Sequence, residues 1–263
     1  HRDREPGASR VLEPERLEDV DHVVGAGSRV VAEQMIERKL VPAAKIEVIA
    51  HAPAAPPECW ETPVAPDALG PLFGPPCAGP LLLTIGTLEP RKDPATARAA
   101  LIAWHRAQPD PATARLRWLW IGGPGSRPDS TPPELVRQAR HLGFHTTGPL
   151  PGSIARQTLT RATALVTCSR AEGFGLPLAE ALAAGAPIIA SDIPIHREIA
   201  GDAALYFPLG AAVALARLLQ TLLADPALAA TLRERARRRA ARFSWNLAAR
   251  QTLDLYRRAV IHA

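Results

Sequence analysis

Short apolar runs alternate with amphipathic stretches along most of the chain. Val23-Val24 run into Gly25-Ala26-Gly27-Ser28, and Ser28 is suited to cap a helix reaching about residue 38, with Val31 and Met35 one turn apart. Residues 45–49 alternate like a strand. Apolar runs at 81–85, 116–121, 164–168 and 187–190, with a weaker one at 144–148, read as further strands. Between and after them, 95–106, 133–142, 153–161, 177–184, 211–223, 227–242 and 247–260 read as helices. The clearest is 211–223, where Leu215, Leu218, Leu219, Leu222 and Leu223 line one face.

Strands alternating with helices imply right-handed βαβ units and a parallel sheet. Runs that are apolar throughout, rather than alternately, suit strands buried on both faces. The expected fold is therefore α/β: a Rossmann-like parallel sheet with helices on both faces. Between 53 and 79 the prolines are dense, among them Pro53, Pro56, Pro57, Pro63, Pro66, Pro71, Pro75 and Pro76. Proline fixes φ and removes a donor, so this stretch reads as a linker.

Composition narrows the class. The chain has 263 residues, 47% hydrophobic and 22% charged, as in an ordinary folded protein rather than a disordered one. It contains no apolar run of about 18 residues, the length a membrane span needs. The first residue is His1 and the only methionine Met35, with no signal peptide at the front, so a fragment or a processed chain is expected. Cys59, Cys77 and Cys168 have no metal-ligand spacing, which suits a reducing, cytoplasmic location. Of 31 Lys and Arg only three are Lys, and the net charge is +5. With aromatics at 5%, nucleic acid is not an expected partner.

Ligands of parallel sheets bind at the carboxyl ends of the strands. There the chain collects Gly86-Thr87-Leu88-Glu89-Pro90-Arg91-Lys92-Asp93, then Gly122-Gly123-Pro124-Gly125, then Ser169-Arg170-Ala171-Glu172-Gly173-Phe174-Gly175-Leu176-Pro177. Glycines let backbone approach a ligand, and Pro177 suits a first helical position. The helix that follows turns its free N–H groups and positive dipole end to the rim, where a phosphate binds well. Glu180, eight residues after Glu172, is placed to accept both hydroxyls of a vicinal diol such as ribose.

These residues carry a resemblance. The Glu172…Glu180 spacing within E-G-F-G-L-P-L-A-E-A-L-A-A-G-A-P resembles the signature of retaining glycosyltransferase family 4, which has the GT-B fold. G-T-L-E-P-R-K-D at 86–93 and Phe243-Ser244-Trp245 are similar to the same family, and the likeness covers roughly residues 80–260. It implies a remnant of an N-terminal GT-B domain at 1–52, the linker at 53–79, a nucleotide-sugar-binding domain at 80–245, and a helix at 246–263 crossing back to the N-terminal domain. The implied function is transfer of a sugar, with retention, from GDP-mannose or a UDP-sugar to a glycan or lipid-linked acceptor, as in polysaccharide biosynthesis.

The implied catalytic residues are Glu172, Arg91 and Lys92. Implied donor contacts are Gly86, Arg91, Lys92, Gly173, Phe174, Gly175, Leu176 and Glu180, with the base near 145–150. The nucleotide sugar is a substrate, and neither cofactor nor metal is expected. A missing N-terminal domain or subunit is the expected partner, and the resemblance alone puts no cleft histidine on His22 or His51.

Plainer readings stand beside these. The two glutamates also suit a helix-capping pair, Arg91 and Lys92 a charged turn, and Gly122–Gly125 a flexible turn instead of a donor contact. Asp19-Val20-Asp21 spells D-x-D without the rest of a metal-binding fold. His196 is expected to be structural or at the surface. Arg233, Arg235, Arg237, Arg238, Arg239 and Arg242 suit a solvated helix face, with contact to an acidic partner or peripheral contact to anionic lipid at the inner face of the membrane as the alternative. Two other functions remain: a nucleotide-sugar-binding module, non-enzymatic or dependent on a separate subunit, and a GT-B nucleotide-sugar epimerase.

Overall fold

Strands that are apolar on every side need cover above and below, and the computed structural model supplies it. It describes residues 24–53, 79–108, 116–125 and 142–261. The helix expected at 133–142 (Leu142 excepted), most of the proline-rich stretch, Asp19-Val20-Asp21, His22, Cys59 and Cys77 lie outside the described residues.

The chain divides into two compact units, His1–Ala50 with Asn246–Ala263, and His51–Trp245. In the first, β1 (Val24–Ala26) pairs in parallel with β2 (Ile46–Val48). Between them runs α1 (Arg29–Glu37), whose first turn is closed by the Ser28 hydroxyl accepting from the Val31 N–H at 3.2 Å. The same unit takes in most of the last helix, α8 (Trp245–Ile261), which buries Leu255 and pairs Arg258 with Glu47.

The second unit is built on six parallel strands: β3 (Leu81–Ile85), β4 (Arg117–Ile121), β5 (Phe144–Gly148), β6 (Ala164–Thr167), β7 (Ile188–Ser191) and β8 (Ala204–Phe207). Their order across the sheet is β5-β4-β3-β6-β7-β8. On one face Leu82, Trp118, Trp120, Phe144 and Val166 pack with Ala97, Leu101 and Trp104 of α2 (Pro94–Arg106) and with Leu215, Leu219 and Leu222 of α6 (Ala212–Ala224). Alternate positions such as Leu83 and Leu165 are equally buried and point the other way. That side holds α4 (Leu176–Ala184), packed against α3 (Gly152–Arg161), α5 (Pro194–Ala200) and α7 (Pro226–Ala240). The sheet core also carries one satisfied polar link: Trp118 Nε1 donates to the Thr84 hydroxyl at 2.9 Å, which donates to the Val166 carbonyl at 2.7 Å.

Two elements correct the sequence reading. β8 and α5 occupy a stretch where neither a strand nor a helix was expected. β8 is a four-residue strand at the sheet edge with Leu205 and Tyr206 only half-buried, too short and mixed to mark itself by pattern.

Three arginines of α7 also differ from expectation. Arg233 donates to the carbonyls of Gly185 and Ala162, Arg235 to that of Asp202, and Arg239 to those of Ile199 and Glu198. Part of a face expected to be solvated thus supplies donors to carbonyls at the ends of α3, α4 and α5, where helical backbone lacks partners, while Arg237, Arg238 and Arg242 are exposed as expected. Among the described residues no single helix is long and apolar enough to cross a membrane.

Candidate functional site

The strand order makes a crevice at one defined place. From β3 the chain adds β4 and β5 on one side, and β6, β7 and β8 on the other. At such a reversal the loops after the two central strands diverge and leave a groove at their carboxyl ends. Here those loops are the Gly86–Asp93 stretch after β3 and the Ser169–Gly175 stretch after β6.

After β3 the chain makes a short helical turn, Pro90–Lys92, and Asp93 at φ 48° caps α2 by accepting from the Thr96 N–H and hydroxyl. This throws Lys92 back across the strand end. A β-carbon on Gly86 would stand 2.9 Å from Lys92 Cε, so the bare glycine is what lets the ammonium pass. The two loops are tied by the Arg170 N–H donating to the Arg91 carbonyl at 2.8 Å and by an Arg170–Asp93 ion pair at 3.0 Å.

Both cations meet Glu172. Lys92 Nζ donates to Oε1 at 2.6 Å and Arg91 Nη1 to Oε2 at 2.8 Å, with a further Arg91 bond to the Ala171 carbonyl at 3.0 Å. The Lys92 and Glu172 side chains are each 9% exposed, whereas that of Arg91 is 43% exposed, so one cation is committed and the other reaches solvent. Burial works to raise the Glu172 carboxyl. The Lys92 charge and hydrogen bond, the Ser169 hydroxyl and the Arg91 charge outweigh it and hold the group below its ordinary value.

The turn after Glu172 opens α4. Gly173 faces open space, Gly175 at φ 86° is the N-cap, and Leu176 is exposed in the first turn. Phe174 buries its ring edge-on against His51 at 5.1 Å and Phe243 at 5.8 Å, so only its backbone remains for a ligand. Pro53 and Trp245 join this cluster, with Trp245 Nε1 donating to the Pro53 carbonyl at 2.7 Å. His51 was not legible as part of it, and the Phe243-Ser244-Trp245 triplet was the signal that pointed there. Glu180 is half-buried on α4. Burial raises its carboxyl above the ordinary value, and the Arg156 charge opposes this only in part.

His196 is buried, not at the surface. It lies on α5, its Nδ1 2.9 Å from the Ser191 carbonyl, and burial lowers its ordinary pKa. Gly122 and Gly123 serve the fold. Gly122 abuts the Gly86 backbone and Gly123 accepts from the Leu88 N–H. No group of three or more His, Cys, Asp or Glu fit to hold a metal occurs among the described residues.

A sheet with this reversal, a buried carboxylate held by two cations, and a glycine turn opening a helix place the chain in a class. It belongs to the glycosyl transferases group 1 family, whose model matches residues 78–239. It is 32% identical over 202 residues to a D-inositol 3-phosphate glycosyltransferase of Kineococcus radiotolerans, covering 72% of this chain and 46% of that protein. It is 31% identical over 178 residues to O-antigen chain mannosyltransferase B of Escherichia coli, covering 66% and 45%. The chain thus spans about half the length of the curated relatives it matches.

Among solved structures, sucrose-phosphate synthase of Thermosynechococcus elongatus superposes with a TM-score of 0.74 at 27% identity, over 95% of this chain and 61% of that one. HepE of Anabaena, in complex with UDP and glucose, gives 0.72 at 18% identity over 88% and 62%. The likeness bears out the expected GT-B class and the α/β parallel sheet.

Proposed function

We propose that this chain binds a nucleotide sugar and, together with an acceptor-binding domain or subunit, transfers the sugar with retention to a glycan or lipid-linked acceptor. The observation that carries the reading is the meeting of Arg91, Lys92 and Glu172 at the sheet's reversal point, beside the first turn of α4. Two cations and a helix N-terminus are the charges a diphosphate needs.

As the glycosidic bond breaks, negative charge grows on the leaving diphosphate. Fixed cations stabilise that growth more than they stabilise the bound donor, which lowers the barrier. The sugar gains oxocarbenium character, which an ionised carboxylate such as Glu172 stabilises. Glu172 accepts from both cations, and a bound diphosphate would share them. Glu180 accepts from the ribose diol in this reading. GDP-mannose precedes UDP-sugars as donor in this reading, and the O-antigen chain mannosyltransferase B relative supports mannose as the sugar.

The test compares a nucleoside with its diphosphate by calorimetry. Lys92→Ala should weaken UDP or GDP binding by about 1.5–3 kcal/mol, the range for hydrogen bonds to charged groups, and leave the bare nucleoside alone. Arg91→Ala, at the half-exposed cation, should act in the same direction with little risk to the fold. Equal losses for nucleoside and diphosphate, or no loss for either, would refute the phosphate role.

A further inference from the structure

The loop that carries Arg91 and Lys92 leaves β3 through a glycine, the residue least able to hold a backbone direction by itself. Two tryptophans of β4 bear on this. Trp118 and Trp120 lie on one face of the sheet, both 0% exposed, with the Phe144 ring 6.1 and 6.0 Å from theirs. In register, Trp118 stands beside Leu82 of β3 and Trp120 beside Thr84. Each indole N–H reaches two positions further along β3. Trp118 Nε1 donates to the Thr84 hydroxyl at 2.9 Å, and Trp120 Nε1 donates to the Gly86 carbonyl at 2.7 Å. The same donor, repeated, thus ends in two different places. The first acceptor is a side chain inside the sheet core. The second is backbone at the residue where β3 gives way to the loop.

Gly86 is held from three sides. Its N–H donates to the Ile121 carbonyl at 2.9 Å, which fixes the peptide before it. The indole of Trp120 fixes the peptide after it. Against its α-carbon lies the Lys92 side chain, since a β-carbon there would stand 2.9 Å from Lys92 Cε and 3.2 Å from Nζ. The Lys92 stem therefore crosses Gly86 on its way to Glu172, whose Oε1 is 2.6 Å from Nζ. Rotation of the Gly86–Thr87 peptide would alter the surface that the stem lies on. A glycine at φ 141° does not resist that rotation through any side chain of its own, and the indole N–H does.

We propose that Trp120 is a positioning residue for Lys92: its indole N–H fixes the peptide after Gly86, and that peptide sets where the ammonium stands for a diphosphate. This rests on the reading of Lys92 as a diphosphate cation. A lysine ammonium is a point charge on a flexible four-carbon stem, so its hold on a ligand depends on what orders the stem. Order present beforehand spares the ligand the cost of imposing it. Trp120 touches no ligand in this role and acts through Gly86.

The experiment is calorimetric titration of the full chain with uridine, guanosine, UDP and GDP. Trp120→Phe keeps a ring against Phe144 and removes the N–H. It should weaken the diphosphate that the parent binds by about 3- to 10-fold, the size of one net hydrogen bond, and leave the matching nucleoside within about 2-fold. In a Lys92→Ala background it should have no further effect, because coupled residues are not additive. Trp118→Phe is the matched control. It deletes the same N–H from the same face, and should lower the melting temperature yet leave diphosphate affinity within about 2-fold. If Trp120→Phe folds poorly, benzothienylalanine at position 120, which keeps the bicycle and lacks only the N–H, should show the same selective loss.

Unchanged diphosphate affinity, equal losses for nucleoside and diphosphate, or an undiminished loss in the Lys92→Ala background would overturn the proposal. So would an equal loss from Trp118→Phe, which would mean a general softening of the sheet. If Lys92→Ala itself changes nothing, the cation assignment fails and takes the positioning role with it. A parent chain that binds neither diphosphate refutes the functional reading and this role together.

Discussion

A β-carbon placed on Gly122 would stand 2.0 Å from the carbonyl oxygen of Gly86. The two glycines follow β4 and β3 directly, where Ile121 and Ile85 are paired in register. The Gly86 N–H donates to the Ile121 carbonyl at 2.9 Å, and Trp120 Nε1 donates to the Gly86 carbonyl at 2.7 Å. The loop that delivers Arg91 and Lys92 therefore leaves the sheet by lying against Gly122.

Gly122→Ala should displace that loop. The residue sits at φ 152°, and its new methyl would meet backbone, which cannot rotate away. Strain of about 1–3 kcal/mol is expected, seen as a lower melting temperature. Diphosphate binding should weaken with it, because Lys92 is carried on the displaced loop. Unchanged melting together with unchanged UDP or GDP affinity would rule out this account of the loop.

Much of this arrangement was legible in the residue pattern, and the limits have physical causes. β3 and β5 fall at the expected bounds, 81–85 and 144–148, since strands of a parallel sheet are marked by punctuation around them as well as by content. β8 escaped because an edge strand needs less apolar surface. The rim holding Arg91, Lys92 and Glu172 followed from the rule that ligands bind at strand ends. Their mutual ion pairs did not, since the 80 positions that separate Lys92 from Glu172 say nothing of strand order. Nor did the contact of His51 with Phe174, which depends on where the chain returns after the proline-rich stretch. Arg233, Arg235 and Arg239 of α7 were misread because helical spacing tells which residues share a face, not that part of it points toward carbonyls.

Arg239 offers a test of that last correction. Its Nε and Nη2 donate to the Ile199 and Glu198 carbonyls, each at 2.6 Å, near the end of α5. Arg239→Ala should cost about 1–3 kcal/mol in a denaturation titration, from carbonyls left without donors. Arg239→Lys should recover little, since one ammonium cannot reproduce the two-pronged geometry of a guanidinium. A substitution without effect on the midpoint would return the residue to the class of solvated arginines.

Glu180 brings stability and binding into opposition. Burial raises its carboxyl above the ordinary value, and Arg156 offsets that only in part. A carboxyl raised in the folded state binds its proton more tightly there than in the unfolded chain. Folding stability from this group is thus full below the ordinary carboxylate pKa and is lost as pH rises through the raised folded value. At neutral pH the ionised side chain works against the fold, and Glu180→Gln removes that cost. The variant should melt at a higher temperature than the parent at pH 7, and the gap should shrink toward about pH 4, where the parent group is also neutral. Binding should move the other way. An amide presents one acceptor oxygen without charge where the carboxylate presents two, so UDP or GDP affinity should fall by about 1.5–3 kcal/mol. Melting curves at the two pH values and one calorimetric titration decide the matter. A variant that is less stable at pH 7 would show that Glu180 is paired in the fold, and one that binds the nucleotide as the parent does would remove it from the ribose site. Only gain in the first measurement with loss in the second fits a carboxylate kept in a buried position for a ligand, the trade expected where function sets a residue against stability.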